Sequence, residues 1–213
     1  MKKYIKHLFV FATITALMSS CDTEKEFDIP EVKEVLLFEG FEGTAAGSGS
    51  VENAIALEGW ANYNVSTSGT RLWHSRLFSN NKYAEFSSFY SATGTTDEVW
   101  LVTPERTLNP NSATALSFET KIRFWTTTTG SLLKVFISEN YDGTEAGIAT
   151  ATWTELNPTL PTSAQSDVFI KSGDIDLSSY KGKKVRIAFK YTGDKAANST
   201  TYQLDNIKLF ETE

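Results

Sequence analysis

Chemistry in this chain is limited first by what it lacks. Its 213 residues include a single cysteine, Cys21, and two histidines, His7 and His74. Cys21 adjoins an N-terminal apolar run, so a cysteine nucleophile within a folded domain is not expected, and a serine triad would need His74 as its base. No Gly-x-Ser-x-Gly sequence occurs. Zinc sites draw on several His or Cys ligands, which one imidazole cannot provide. Neither a phosphate-cradling glycine loop nor a dinucleotide fingerprint is present. His74 lies between Trp73 and Ser75 in an expected strand, where a packed or surface role is the ordinary one. Glycoside hydrolysis needs only two carboxyl groups about 5 to 9.5 Å apart. The chain carries 26 Asp and Glu, and no pattern selects a pair.

Two residue types could do non-catalytic work. In Thr201 to Phe210, Asp205 shares strand parity with Ile207 and Leu209, which would aim its carboxylate inward, and a buried carboxylate needs a partner. That partner could be a hard cation with six to eight oxygen ligands, backbone N–H groups, or one of Arg71, Arg106 and Arg123. Tyr202 and Leu204 could instead define the inner face. The aromatic residues are the second type, because rings can lie against sugar faces beside hydrogen-bonding groups. Trp73, Trp125 and Trp153 have the better claim to solvent: Trp125 leads into the Thr126 to Gly130 loop and Trp153 precedes the loop Asn157 to Gln165. Phe89 and Tyr90, before Ser91 to Thr95, join this set.

The elements that would position these residues begin after an N-terminal address. Lys2, Lys3 and Lys6 precede an uncharged run from Leu8 to Met18, then Ser19-Ser20-Cys21. This is the pattern of a secretory signal, too short for a mature membrane span. It resembles a bacterial lipoprotein signal, which implies cleavage after residue 20, lipidation of Cys21 and attachment to a bilayer through its acyl chains. Residues 21–33 are polar and acidic and suit a tether. The acidic run after the cysteine is similar to the export tag of surface lipoproteins in some Gram-negative bacteria, so an outer-membrane protein facing outside is expected. Loss of Lys2, Lys3 and Lys6 from a chain with 20 basic and 26 acidic residues leaves a formal charge of −9, which argues against nucleic acid as a partner. No internal disulfide can form, so stability must come from packing, hydrogen bonds or a metal.

From residue 34 onward the pattern is short period-two stretches separated by Gly, Ser, Thr, Asn and Asp clusters. Leu116, Phe118, Ile122 and Phe124 share one face of a strand. Leu133, Val135 and Ile137 share another, and Val185, Ile187, Phe189 and Tyr191 a third. Further strands are expected at 35–41, 71–77, 82–88, 98–103, 150–156 and 201–210. Asp142-Gly143 marks a turn, residues 176–182 a short turn into the next strand, and residues 44–50 a mobile loop. The expected fold of residues 34–213 is all-β, a jelly-roll-like sandwich of two antiparallel sheets.

Several pieces in order carry a resemblance: Phe41-Glu42-Gly43, Gly59-Trp60, Trp73, Tyr83-Ala84, Trp100-Leu101-Val102-Thr103-Pro104, Leu116-Ser117-Phe118, residues 176–182, Val185 to Phe189, and Leu204-Asp205-Asn206-Ile207. The series resembles the choice-of-anchor J domain, related to cleaved adhesin domains and jelly-roll carbohydrate-binding modules. The resemblance implies a secreted or anchored sandwich with adhesive or glycan-binding associations and no defined reaction. It implies that Trp60 and Trp100 pack in the sheets. It also implies a structural calcium joining the first and last strands, at Glu42 and Asp205 with Asp97 as a third ligand. The expected function is therefore a non-catalytic surface module, adhesive or carbohydrate-binding. Its alternatives are an accessory lipoprotein docking a partner protein and an enzyme acting on polysaccharide.

Overall fold

The computed structural model describes residues 33–126 and 130–212. The signal segment, Cys21 and all but the last residue of the tether lie outside the described residues.

Two antiparallel sheets face each other, as the alternation requires. The larger contains β1 (Val35–Glu39), β2 (Asn53–Ala54), β4 (His74–Phe78), β5 (Asn81–Phe86), β8 (Ala113–Arg123), β11 (Ile170–Lys171), β12 (Ile175–Asp176) and β14 (Thr201–Thr212). They run β11-β8-β14-β5-β4-β2, with β1 also on β14 and β12 also on β8. The smaller contains β3 (Ala61–Asn64), β6 (Thr96–Val102), β7 (Arg106–Thr107), β9 (Leu133–Ser138), β10 (Thr154–Leu156) and β13 (Lys184–Asp194), ordered β10-β9-β13-β6-β3 with β7 also on β13.

The core lies between the sheets. Leu116, Phe118 and Ile122 of β8 and Tyr202 and Leu204 of β14 meet Val135, Ile187, Phe189 and Tyr191 of the smaller sheet. Phe118 meets Phe189 edge to face at 5.1 Å between centroids, and Phe86 meets Tyr191 at 4.8 Å. The Tyr191 hydroxyl donates toward the Asn198 and Thr200 carbonyls, which satisfies the polar end of a buried ring.

Three expectations are corrected. Phe124 does not continue the inward face of β8: its φ of 52° ends the extended run and turns the ring out to 69% exposure. Residues 150–156 are not one strand. Thr144 caps α1 (Glu145–Thr150) by accepting from the Gly147 N–H, and β10 starts only at Thr154. The loop at 44–50 is fastened, since the Gly47 N–H donates to the Ser75 carbonyl and the Lys82 ammonium to the Thr44 carbonyl.

β14 contains a bulge. Asp205 pairs with Glu119 and Lys208 with Ser117, so two residues of β14 oppose one of β8, and Asn206 takes a φ of 49°. Inward parity therefore passes from Tyr202 and Leu204 to Ile207 and Leu209, and Asp205 belongs to the outer face.

Candidate functional site

The outer face of the larger sheet carries a polar row set by strand register. His74 pairs with Glu85, Glu85 with Gln203, and Gln203 with Lys121, across β4, β5, β14 and β8. Their inner neighbours Phe86, Tyr202 and Ile122 are core, so period two sends this row outward. The row is nevertheless mostly covered. Phe169 stacks edge-on against Tyr83, and the Lys121 ammonium stands 4.7 Å from the Phe169 ring. At the other end, Arg76 reaches over to donate to the Gly49 and Val51 carbonyls and holds that loop across β4.

Between these covers is a cleft of about 520 Å³, within the range of small-molecule sites. Its floor is His74, 2% exposed, with Glu52 and Glu85 on either side. Its rim carries Phe89 and Tyr90 from the 3-10 turn Ser88–Tyr90, together with Phe124. Each guanidinium at the cleft is paired with a carboxylate of the chain. Arg71 forks onto both Glu52 oxygens and also donates to the Ser87 carbonyl; Arg76 Nε meets Glu85 Oε1 at 3.2 Å, and Arg123 Nε meets Asp167 Oδ1 at 2.6 Å. Arg71 also lies 5.6 Å from the Tyr90 centroid, bracing that ring from one side.

Burial pushes both Glu52 and Glu85 toward protonation, but their partners outweigh it. The Arg71 fork with the His74 and Arg76 charges holds Glu52 below the usual carboxylate range. Nearby His74, the Gln203 amide donating at 2.7 Å, and Arg76 do the same for Glu85. His74 Nε2 faces Glu52 Oε1 at 3.8 Å and Glu85 Oε1 at 3.6 Å, both too long for a hydrogen bond. Nε2 is buried and has no hydrogen-bond partner.

Of the sequence-derived aromatic candidates, Phe89 and Tyr90, 56% and 66% exposed, lie in the cleft. Trp73 is corrected: it is completely buried between the sheets, its Nε1 3.4 Å from the Val99 carbonyl, and it cannot present a face to a ligand. Trp125 is half-buried against the main core. Trp153 lies on the outer face of the smaller sheet, 5.0 Å from Trp100 and 5.2 Å from Tyr141, and donates to the Ile148 carbonyl of α1. There the aromatic group is a second small core roofed by α1. Trp60 and Trp100 do pack, Trp60 against Phe41 and Trp100 against Phe136.

The carboxylates expected to hold calcium do not form a cradle. Asp205 is buried, which raises its proton affinity, but its oxygens already accept from the Asn81 amide at 2.8 Å and the Asn206 N–H at 2.7 Å. Glu42 is exposed and accepts from the Lys82 N–H, while the Lys82 ammonium bonds the Glu42 carbonyl at 2.7 Å, so a side-chain cation already stands there. Asp97 is held apart from both by the Ser88 and Ser91 hydroxyls and the Asn64 amide. Among the described residues no three His, Cys, Asp or Glu side chains gather for a metal, and neither Arg71, Arg106 nor Arg123 reaches Asp205.

Sequence reasoning left Glu52, Arg76, Glu85 and Phe124 out of the site. The signal for two of them was the tight turn at Ser79 and Asn80, both with positive φ. It joins Phe78 to Asn81 and thereby counts back to His74 opposite Glu85.

A family model described as "Domain of unknown function (DUF5017)" matches residues 61–213. No curated protein matches the chain. Among solved structures, the K3 cleaved adhesin domain of Lys-gingipain from Porphyromonas gingivalis is similar in fold, with TM-score 0.50, 17% identity, and coverage of 84% of this chain and 99% of that one. The K1 cleaved adhesin domain of the same protein gives TM-score 0.48 and 16% identity, covering 81% and 96%. The CBM22-1 xylan-binding domain of Xyn10C from Paenibacillus barcinonensis gives TM-score 0.41 and 12% identity, covering 85% and 97%.

Proposed function

The chain belongs to the DUF5017 family, and on that footing we propose that its β-sandwich is a non-catalytic binding module that takes a glycan in the cleft on the outer face of the larger sheet. The observation that carries this reading is a preformed cleft with a buried, unpartnered imidazole nitrogen at its floor and the exposed rings of Phe89 and Tyr90 at its rim. Rings at a rim with convergent polar groups below suit a ligand that is apolar on one face and hydroxylated at its edges.

Binding without turnover fits the electrostatics. A glycosidase needs one carboxyl group kept protonated to act as acid. Both carboxyl groups beside His74 are instead held below the usual range by their partners. The lipoprotein signal and acidic tether support display of this module on the bacterial outer surface through Cys21. The ordered motifs from Phe41 to Ile207 support kinship with the choice-of-anchor J group.

The test is an oligosaccharide array probed with the protein and with Tyr90→Ala. Affinity in the variant is expected to fall about tenfold or more, with an unchanged melting temperature. Array binding that Tyr90→Ala leaves intact would rule the cleft out as the binding site.

A further inference from the structure

The aromatic residues at the rim of the cleft rise from strands that the sheet holds at a fixed spacing. β5 and β8 pair with opposite sides of β14, Phe86 and Ile122 both standing against Tyr202. Two inter-strand spacings, about 9.5 Å, separate them. Both strands run antiparallel to β14, so both leave the sheet at the same end. Just past Phe86 the chain enters the 3-10 turn that carries Phe89 and Tyr90, and just past Ile122 it reaches Phe124. Aromatic rings therefore line one cleft from two sides, and Thr201, which begins β14 between the two strands, lines it as well. A saccharide ring touching an aromatic ring on each face needs about 7–8 Å, twice the carbon–carbon contact distance, which a gap of this width admits.

Both walls are held in place. Phe89 and Tyr90 meet edge to face at 5.0 Å between centroids, and Arg71, forked onto Glu52, braces Tyr90. On the other side the Arg123 guanidinium stands 4.9 Å from the Phe124 centroid and is itself paired with Asp167. Phe124 has a positive φ that bulky residues seldom adopt, and its ring is exposed, so it fills no core. Backbone strain of this kind collects at ligand clamps.

Two apolar walls restrict the stereochemistry of what lies between them. A pyranose whose ring hydroxyls are all equatorial shows C–H groups on both faces. An axial hydroxyl sets an oxygen against one wall, where it loses water without gaining a partner. A single wall would tolerate that group, because the sugar could turn its other face inward.

We propose that the cleft clamps one pyranose unit between Tyr90 and Phe124, and thereby selects β-linked gluco- and xylo-configured saccharides over those with an axial ring hydroxyl. This rests on the glycan-binding reading above and adds the stereochemical class of the ligand and Phe124 as a second binding residue.

The experiment is a set of calorimetric titrations of the protein with cellohexaose, xylohexaose and mannohexaose, which share length, linkage and charge. Only mannohexaose carries an axial ring hydroxyl. It is expected to bind about tenfold more weakly than the other two, or weaker still. Phe124→Ala should weaken cellohexaose about tenfold and bring it level with mannohexaose, because one wall cannot test two faces. Phe124→Trp should keep both the affinity and the preference, and with the wild-type ranking it decides the matter even if Phe124→Ala does not fold.

Equal or tighter binding of mannohexaose by the wild-type protein, or binding only of sugars with axial hydroxyls, overturns the proposal while the glycan-binding reading survives. A preference for cellohexaose that Phe124→Ala leaves undiminished overturns it too, since the second wall would then read nothing. If no saccharide binds at all, both this inference and the parent reading fall.

Discussion

Trp73 and Tyr90 are both aromatic, both near the cleft in sequence, and opposite in role. Composition cannot separate them, because burial is decided by which way a strand residue points and by what lies over it. Trp73 immediately precedes β4 and packs against Phe86 between the sheets. Tyr90 sits on a 3-10 turn whose backbone leaves the sheet. Trp73→Ala should therefore destabilise the domain by about 3–5 kcal/mol through lost burial and a cavity. Tyr90→Ala should change stability by no more than about 0.5 kcal/mol, and chemical denaturation of both variants checks the contrast. Glu85 offers a second residue-level expectation. Its partners favour the carboxylate over burial, so its folded pKa is depressed below 4.5. Its contribution is present above that value and is lost as pH falls through the folded pKa. Glu85→Gln should lower stability at neutral pH by about 1–3 kcal/mol and should flatten the loss on acidification below pH 4.5; an unchanged acid limb would show that the pairing with Arg76 and Gln203 contributes nothing.

Strands announced themselves where alternation was clean. β8, β9 and β13 were legible because Leu116, Phe118, Ile122, Val135, Ile187 and Phe189 recur at every second position and do face inward. Alternation gives no warning of where it breaks. Extrapolating β8 by two residues put Phe124 inside, and reading back from Ile207 put Asp205 inside. In both cases a single residue with positive φ, Phe124 itself or Asn206, resets the parity. Asparagine tolerates that region through its short polar side chain, and a β-branched residue does not. Asn206→Val should thus destabilise the protein by about 1–3 kcal/mol. Asn206→Gly should be close to neutral, since it gives up only the exposed bond from the Asn206 amide to Glu119. Equal losses in thermal melts of the two would mean that the side-chain bond, not the backbone, holds the bulge.

At the scale of the whole molecule, the two-sheet architecture could be expected from the sequence, whereas the cleft could not. It is assembled from β4, β5, the loop before β2, the turn after β5 and the end of β8, and the contacts joining them span long stretches of chain, such as Arg76 to Val51 and Gln203 to Glu85. The same topology brings the first strand to the last. β14 pairs with β1, β5 and β8, and β13 with β6, β7 and β9, so neither long strand can open without dismantling its sheet. Their amides should exchange hydrogen only through global unfolding, while the two-residue edge strand β2 and β10 exchange by local opening. This also separates two accounts of how the ends of the domain are tied. With Asp205 held by Asn81 and Asn206, and Glu42 by Lys82, closure of β1 on β14 comes from backbone pairing and from the burial of Leu37 and Leu209. Adding a calcium chelator should then leave the slow-exchange plateau of β14 unchanged, because a site that holds an ion only in the folded state would otherwise lower it by mass action when emptied. A plateau that drops with chelator and recovers with calcium would mean that an ion, not this set of side chains, fastens the last strand to the first.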